Sequence, residues 1–341
     1  MTQRRPVPLL GAVALALAGV FGWSVVFASD PTDTPSAPRP TASTPTSGGT
    51  KPERSAHAVP EPSTHAVPEP PARAVPEPSA RAVPEPSARA VPALYLGDSL
   101  AMESQDALAG HLGATGRATL HSAPHSGTAL CDYLTAWRGK TLVPARDKAA
   151  ALVRTVRPRV VILQFWGNAW GYTPCMAGAT YGTAGYYDRY AADARALTEE
   201  IAVAARAAGL ARPKIVWVSQ APDAFHPDRI RRVNAVYAER AAASGDLYAD
   251  AGRTLGPADD RHRWTRQLPC DAYERAHPAY CTHPAPGGGI TDLHRTDDAL
   301  HFCLAPPTTT PRPCPVRSPG IGRFARAVTA AVDGWLRGAS G

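Results

Sequence analysis

From residue 92 onward, short apolar runs alternate with longer stretches of helical period. The runs Leu94–Leu96, Ala118–His121, Val160–Phe165, Ile215–Ser219 and Leu247–Asp250 predict strands. Between them, apolar residues recur at three and four positions over Leu100–Leu112, Arg146–Thr155, Tyr187–Ala208, Pro227–Ala243 and Gly322–Leu336, which predicts helices. Strand and helix in strict alternation imply an α/β fold, a three-layer sandwich with a central parallel sheet. About 250 residues form one sizeable core, and no second linker interrupts them.

Upstream the pattern changes twice. Arg4 and Arg5 precede an uncharged apolar run from Leu9 to Ala28, so residues 1–28 are expected to be a signal peptide, cleaved after Ala28, or a retained N-terminal membrane anchor. Either one exports the remainder. Residues 29–91 are rich in Pro, Ser, Thr and Ala and repeat an octapeptide: HAVPEPST from His57, HAVPEPPA from His65, then RAVPEPSA from Arg73 and again from Arg81. Prolines two apart forbid helix and sheet pairing, so this linker is expected to be disordered and extended, with a reach of about 150–200 Å.

Composition sharpens the picture of export. Six cysteines, an even number, suit disulfides, and pairing in chain order is the expectation: Cys131 with Cys175, Cys270 with Cys281, Cys303 with Cys314. The competing zinc set of Cys270, His277, Cys281 and His283 matches no familiar spacing. The net charge is +7, yet no basic run is interleaved with aromatics, which argues against nucleic-acid binding and leaves loose attraction to an anionic cell envelope.

Sites in parallel sheets lie at the carboxyl ends of strands. Gly97-Asp98-Ser99-Leu100 follows the first strand at the start of a helix. A serine there is either a helix cap or a nucleophile beside free backbone N–H groups. Gly127 follows the second strand, Trp166-Gly167-Asn168 the third, and Asp297-Asp298-Ala299-Leu300-His301 lies near the end. The three-residue spacing selects Asp298 over Asp297 as the partner of His301. Asp292 and His294 have the wrong spacing and read as loop residues. Trp166, Trp170 and Tyr172 cluster around Asn168, as substrate-facing or packing aromatics.

These four blocks, in this order over residues 92–338 of the 92–341 domain, resemble those of the SGNH, or GDSL, hydrolases. The third block departs from the family's Gly-x-Asn-Asp, because Gly167 and Asn168 are adjacent and Ala169 follows. The resemblance implies a flavodoxin-like fold and a serine esterase acting through an acyl-enzyme, with no metal or cofactor. It implies Ser99 as nucleophile, His301 as base and Asp298 as the orienting carboxylate. The backbone N–H groups of Ser99 and Gly127 and the Asn168 amide would form the oxyanion hole. Expected substrates are acylated envelope glycans, lipids or small esters. An O-acyltransferase and a non-catalytic envelope-binding module are the alternatives.

Overall fold

The computed structural model describes residues 90–169, 171–305 and 312–339. The expected signal or anchor, nearly all of the linker and Trp170 lie outside the described residues. Among the described residues no helix is long and apolar enough to cross a membrane.

Five parallel strands form the central sheet: β1 (Val91–Gly97), β2 (Ala118–Ser122), β3 (Val160–Gln164), β4 (Lys214–Val218) and β5 (Leu247–Ala249), in the order β2-β1-β3-β4-β5. β1 pairs with β2 from Val91↔Ala118 and with β3 from Ala93↔Val160. The sheet therefore begins at Val91, three residues beyond the last full octapeptide, which ends at Ala88. Continuous apolar runs read well as strands here because a parallel sheet is covered on both faces. Ala93 and Tyr95 point to one face, where they meet Leu100, Leu108 and Leu112 of α1 (Ser99–Ala114) and Phe324, Val328 and Val332 of a C-terminal helix spanning Pro319–Gly338. Leu94 and Leu96 point to the other, against α2 (Ala149–Val156), α3 (Ala184–Ala207) and α4 (Pro227–Ser244). Each fully buried Leu or Val contributes about 1.5–3 kcal/mol of transfer free energy.

Two expectations need correction. The helix expected from Arg146 starts at Ala149; residues Ala145–Asp147 form a separate 3-10 turn, since Lys148 turns inward to the Asp132 carbonyl and Thr141 Oγ1. A second, antiparallel sheet was not expected: β6 (Gln267–Pro269), β7 (His283–Ala285) and β8 (Gly288–Asp292), in the order β6-β8-β7, with the short helix α5 (Ala272–Ala276) between β6 and β7. Asp292 is thus the last residue of a strand, not a loop residue, and its carboxylate accepts from Gln267 and meets His283 Nε2 at 2.8 Å. The helix Pro319–Gly338 is α6.

The disulfides pair in chain order, Cys131–Cys175, Cys270–Cys281 and Cys303–Cys314, which fits an oxidising compartment. With Cys270 and Cys281 joined, the alternative zinc set has no thiolate. The same holds where Cys131, Asp132 and Cys175 converge.

Candidate active site

The strand order reverses direction between β1 and β3. The chain leaves β1 into α1 on one face and leaves β3 toward α3 on the other, which opens a crevice at their carboxyl ends. Both ends carry the singled-out residues. At the end of β1, Gly97 faces Gln164 of β3; a Cβ on Gly97 would lie 2.2 Å from the Gln164 carbonyl oxygen and 2.4 Å from Ala101 Cβ. Only glycine lets the strand end and the helix start approach so closely.

The cap of α1 is Asp98, not Ser99. Its Oδ1 accepts the Leu100 N–H at 3.1 Å, and its Oδ2 accepts the Trp166 N–H at 2.7 Å. Burial raises its pKa to about 6, against the pull of those two backbone N–H groups. Ser99 is left free of capping, and its half-buried Oγ lies 3.1 Å from His301 Nε2. His301 Nδ1 lies 3.0 Å from Asp298 Oδ2. Asp298 Oδ1 accepts the N–H groups of Leu300 (2.8 Å) and His301 (3.0 Å), so the carboxylate folds its own loop around the imidazole.

The electrostatics follow. Desolvation works against the Asp298 carboxylate, but the His301 ring, those two N–H groups and the His301 charge outweigh it and hold its pKa well below the ordinary range. Burial likewise works against a charged His301. The Asp298 hydrogen bond and the charges of Glu103, Asp298 and Asp98 outweigh it, and the imidazole pKa is raised. Asp297 is exposed and paired with Arg295, which also donates to Asp298 Oδ2 at 3.1 Å.

The third block is held from beneath. Arg229, buried and paired with Asp223, donates to the Trp166 and Gly167 carbonyls (3.3 and 3.2 Å), and its guanidinium stacks 3.5 Å from the centre of the Trp166 ring. Tyr186, Tyr190 and Tyr237 donate to the carbonyls of Gly167 (2.6 Å), Asn168 (3.1 Å) and Phe165 (2.9 Å). Trp166 is therefore a packing residue, whereas Tyr172 is exposed and its Cβ would lie 3.9 Å from a Cβ on Gly127. The Asn168 amide donates to Asp98 Oδ2 (3.2 Å) and to the Thr128 carbonyl (3.0 Å), and two acceptors fix its orientation. It thereby ties the third block to the first and the second. Thr128 Oγ1 donates in turn to the His125 carbonyl (2.7 Å) and lies 3.2 Å from that of Gly97. Gly127 sits in this loop at φ 74°.

Gly167 has φ 101°, and a Cβ there would lie 2.8 Å from the Tyr186 hydroxyl. Gly167→Ala is expected to cost about 1–3 kcal/mol, read as a lower urea midpoint, because the backbone is strained for any L side chain and the hydroxyl must retreat.

Arg229, the three tyrosines and Arg295 escaped the sequence reading; His294 lies in a loop as expected, but it is buried, with Nδ1 3.1 Å from the His301 carbonyl. Their signal was only helical or loop position.

No family model matches the chain, and no curated protein does. Solved structures do. A putative acylhydrolase from Bacteroides fragilis is 13% identical, covering 76% of this chain and 92% of that one with a TM-score of 0.41. A family 3 carbohydrate esterase from Clostridium thermocellum is 13% identical, covering 74% and 100% with a TM-score of 0.40. The periplasmic domain of a lipopolysaccharide acetyltransferase from Salmonella ser. Paratyphi A is 9% identical, covering 73% and 84% with a TM-score of 0.41. A GDSL-like lipase from Bacteroides thetaiotaomicron is similar as well. What the chain is similar to, then, is the group of GDSL-like lipases, acylhydrolases and esterases.

Proposed function

We propose that this chain is an exported serine esterase of the SGNH type. The observation that carries the reading is the continuous line from Ser99 Oγ to His301 Nε2 (3.1 Å) and from His301 Nδ1 to Asp298 Oδ2 (3.0 Å). Ser99 Oγ attacks the ester carbonyl carbon while His301 Nε2 takes its proton. Asp298 holds the Nδ1–H tautomer and stabilises the imidazolium. The oxyanion settles against the N–H groups of Ser99, at the N-terminus of α1, and of Gly127; Asn168 serves by sharing the hydrogen it gives to Thr128. Each such donor is worth about 2.7–4 kcal/mol. Collapse expels the alcohol, which takes the proton from His301. Water then attacks the acyl-enzyme with His301 as base, and the carboxylic acid leaves.

The N-terminal segment and the linker favour esters met outside the cytoplasmic membrane, with acylated envelope glycans or lipids as substrates. The full chain is expected to turn over p-nitrophenyl acetate with a burst of p-nitrophenol equal to the enzyme present. Because the base must be neutral and its pKa is raised, the acidic limb of kcat/KM falls above pH 6.5. The absence of both burst and turnover would remove the reading. A slow turnover that an added sugar acceptor accelerates would mark an acyltransferase.

A further inference from the structure

Glu103 lies one turn beyond Ser99 on α1, so the two share a helix face. It is 7% exposed. Its Oε2 accepts the N–H groups of Phe302 (3.1 Å) and Cys303 (3.3 Å), the two residues that follow His301. Its carbonyl accepts the N–H of Cys314 at 3.2 Å, at the other end of the Cys303–Cys314 bridge. One residue of the nucleophile's helix thus holds the chain immediately after the base and also Cys314, to which that chain is bridged.

Resting on the esterase reading, we propose that Glu103 is a positioning residue of the site: it docks the base loop onto the nucleophile's helix and adds a negative charge, beside those of Asp298 and Asp98, that favours the His301 imidazolium. An apolar residue would leave two buried N–H groups without acceptors, and a purely structural acceptor would need no charge. The groups that face His301 are Asp298 in its own loop, Asp98 before α1 and Glu103 on α1, with Arg295 on Asp298. His294 touches the His301 carbonyl, and burial lowers its pKa to about 4, so it adds no charge at neutral pH. Burial is also the largest influence on Glu103 and raises its pKa, while His301 and the two N–H groups oppose this. Glu103 also lines a cavity of about 480 Å³, together with Asp106, His111, Tyr280 and Arg317.

The test uses the full chain with Glu103→Gln and Glu103→Asp, beside Ser99→Ala. The readouts are pH profiles with p-nitrophenyl acetate and NMR titration of ¹⁵N-labelled His301. Glu103→Gln is expected to lower kcat about 10-fold at constant KM and to move the acidic limb and the His301 titration down by about half a unit to one unit. Glu103→Asp keeps the charge, and with it the limb, but its shorter arm lowers kcat. A Glu103→Gln variant whose titration and limb stay in place overturns the inference. Should that variant fail to fold, a Glu103→Asp variant with unchanged kcat overturns it. Wild-type turnover in Ser99→Ala would instead remove the esterase reading, and the His301 titration would still decide the role of Glu103.

Discussion

Ser99→Ala is expected to lower kcat for p-nitrophenyl acetate by about 10⁴-fold or more while leaving the thermal midpoint where it is. The two halves of this result are linked. A serine that capped α1 would cost about 1 kcal/mol on conversion to alanine. Here Asp98 caps the helix, and the one side-chain partner of Ser99 among the described residues is His301 Nε2. On the proposed function, the hydroxyl contributes to chemistry and little to folding. The backbone N–H of residue 99 survives the change, so any residual rate reports the remaining oxyanion donors. A variant that loses stability but keeps its rate would return Ser99 to the role of a structural residue.

Asp298→Asn carries the second large effect, a fall in kcat of about 10⁴-fold. Asp298 Oδ2 receives the His301 Nδ1–H, and Oδ1 is already committed to the N–H groups of Leu300 and His301. Those two donors require an acceptor on Oδ1, so an asparagine must keep its oxygen there and turn its NH₂ toward Nδ1. His301 is then driven to the tautomer with hydrogen on Nε2, which cannot accept the Ser99 proton. Loss of the carboxylate also lowers the imidazole pKa, so the residual activity should extend to more acidic pH, as read from the pH profile. Asp297→Asn should stay within a few-fold of wild type, since that carboxylate is exposed and its partner Arg295 retains Asp298. Equal losses at both positions would contradict the assignment.

The inner strands β1, β3 and β4 were legible because they are buried on both faces over most of their length and read as apolar runs, as Val160–Leu163 does, whereas the edge strands β2 and β5 are partly exposed. The second sheet was not. β6 and β7 are three residues each with a proline inside, and β8 opens on two glycines, too short for any period to emerge. Ser99, Asp298 and His301 were legible as polar punctuation between the regular elements, and the fold brings the three together. Glu103 was not, because a glutamate on an amphipathic helix looks solvated until the loop that covers it is placed. Arg229, Tyr186, Tyr190 and Tyr237 sit on helix positions that periodicity assigns to packing; what they hold is a set of backbone carbonyls, which no side-chain pattern reveals. Asn168 was found by type and place, but its engagement by Asp98 and Thr128 depends on a turn geometry that adjacent Gly167 sets.

The claim that Ser99 is an activated nucleophile is tested most directly by treating the full chain with a fluorophosphonate, digesting it, and locating the adduct by mass spectrometry. The account predicts a single adduct on Ser99, formed more slowly as the pH falls and His301 takes up its proton. An unmodified chain, or an adduct on another serine with Ser99 untouched, would contradict it.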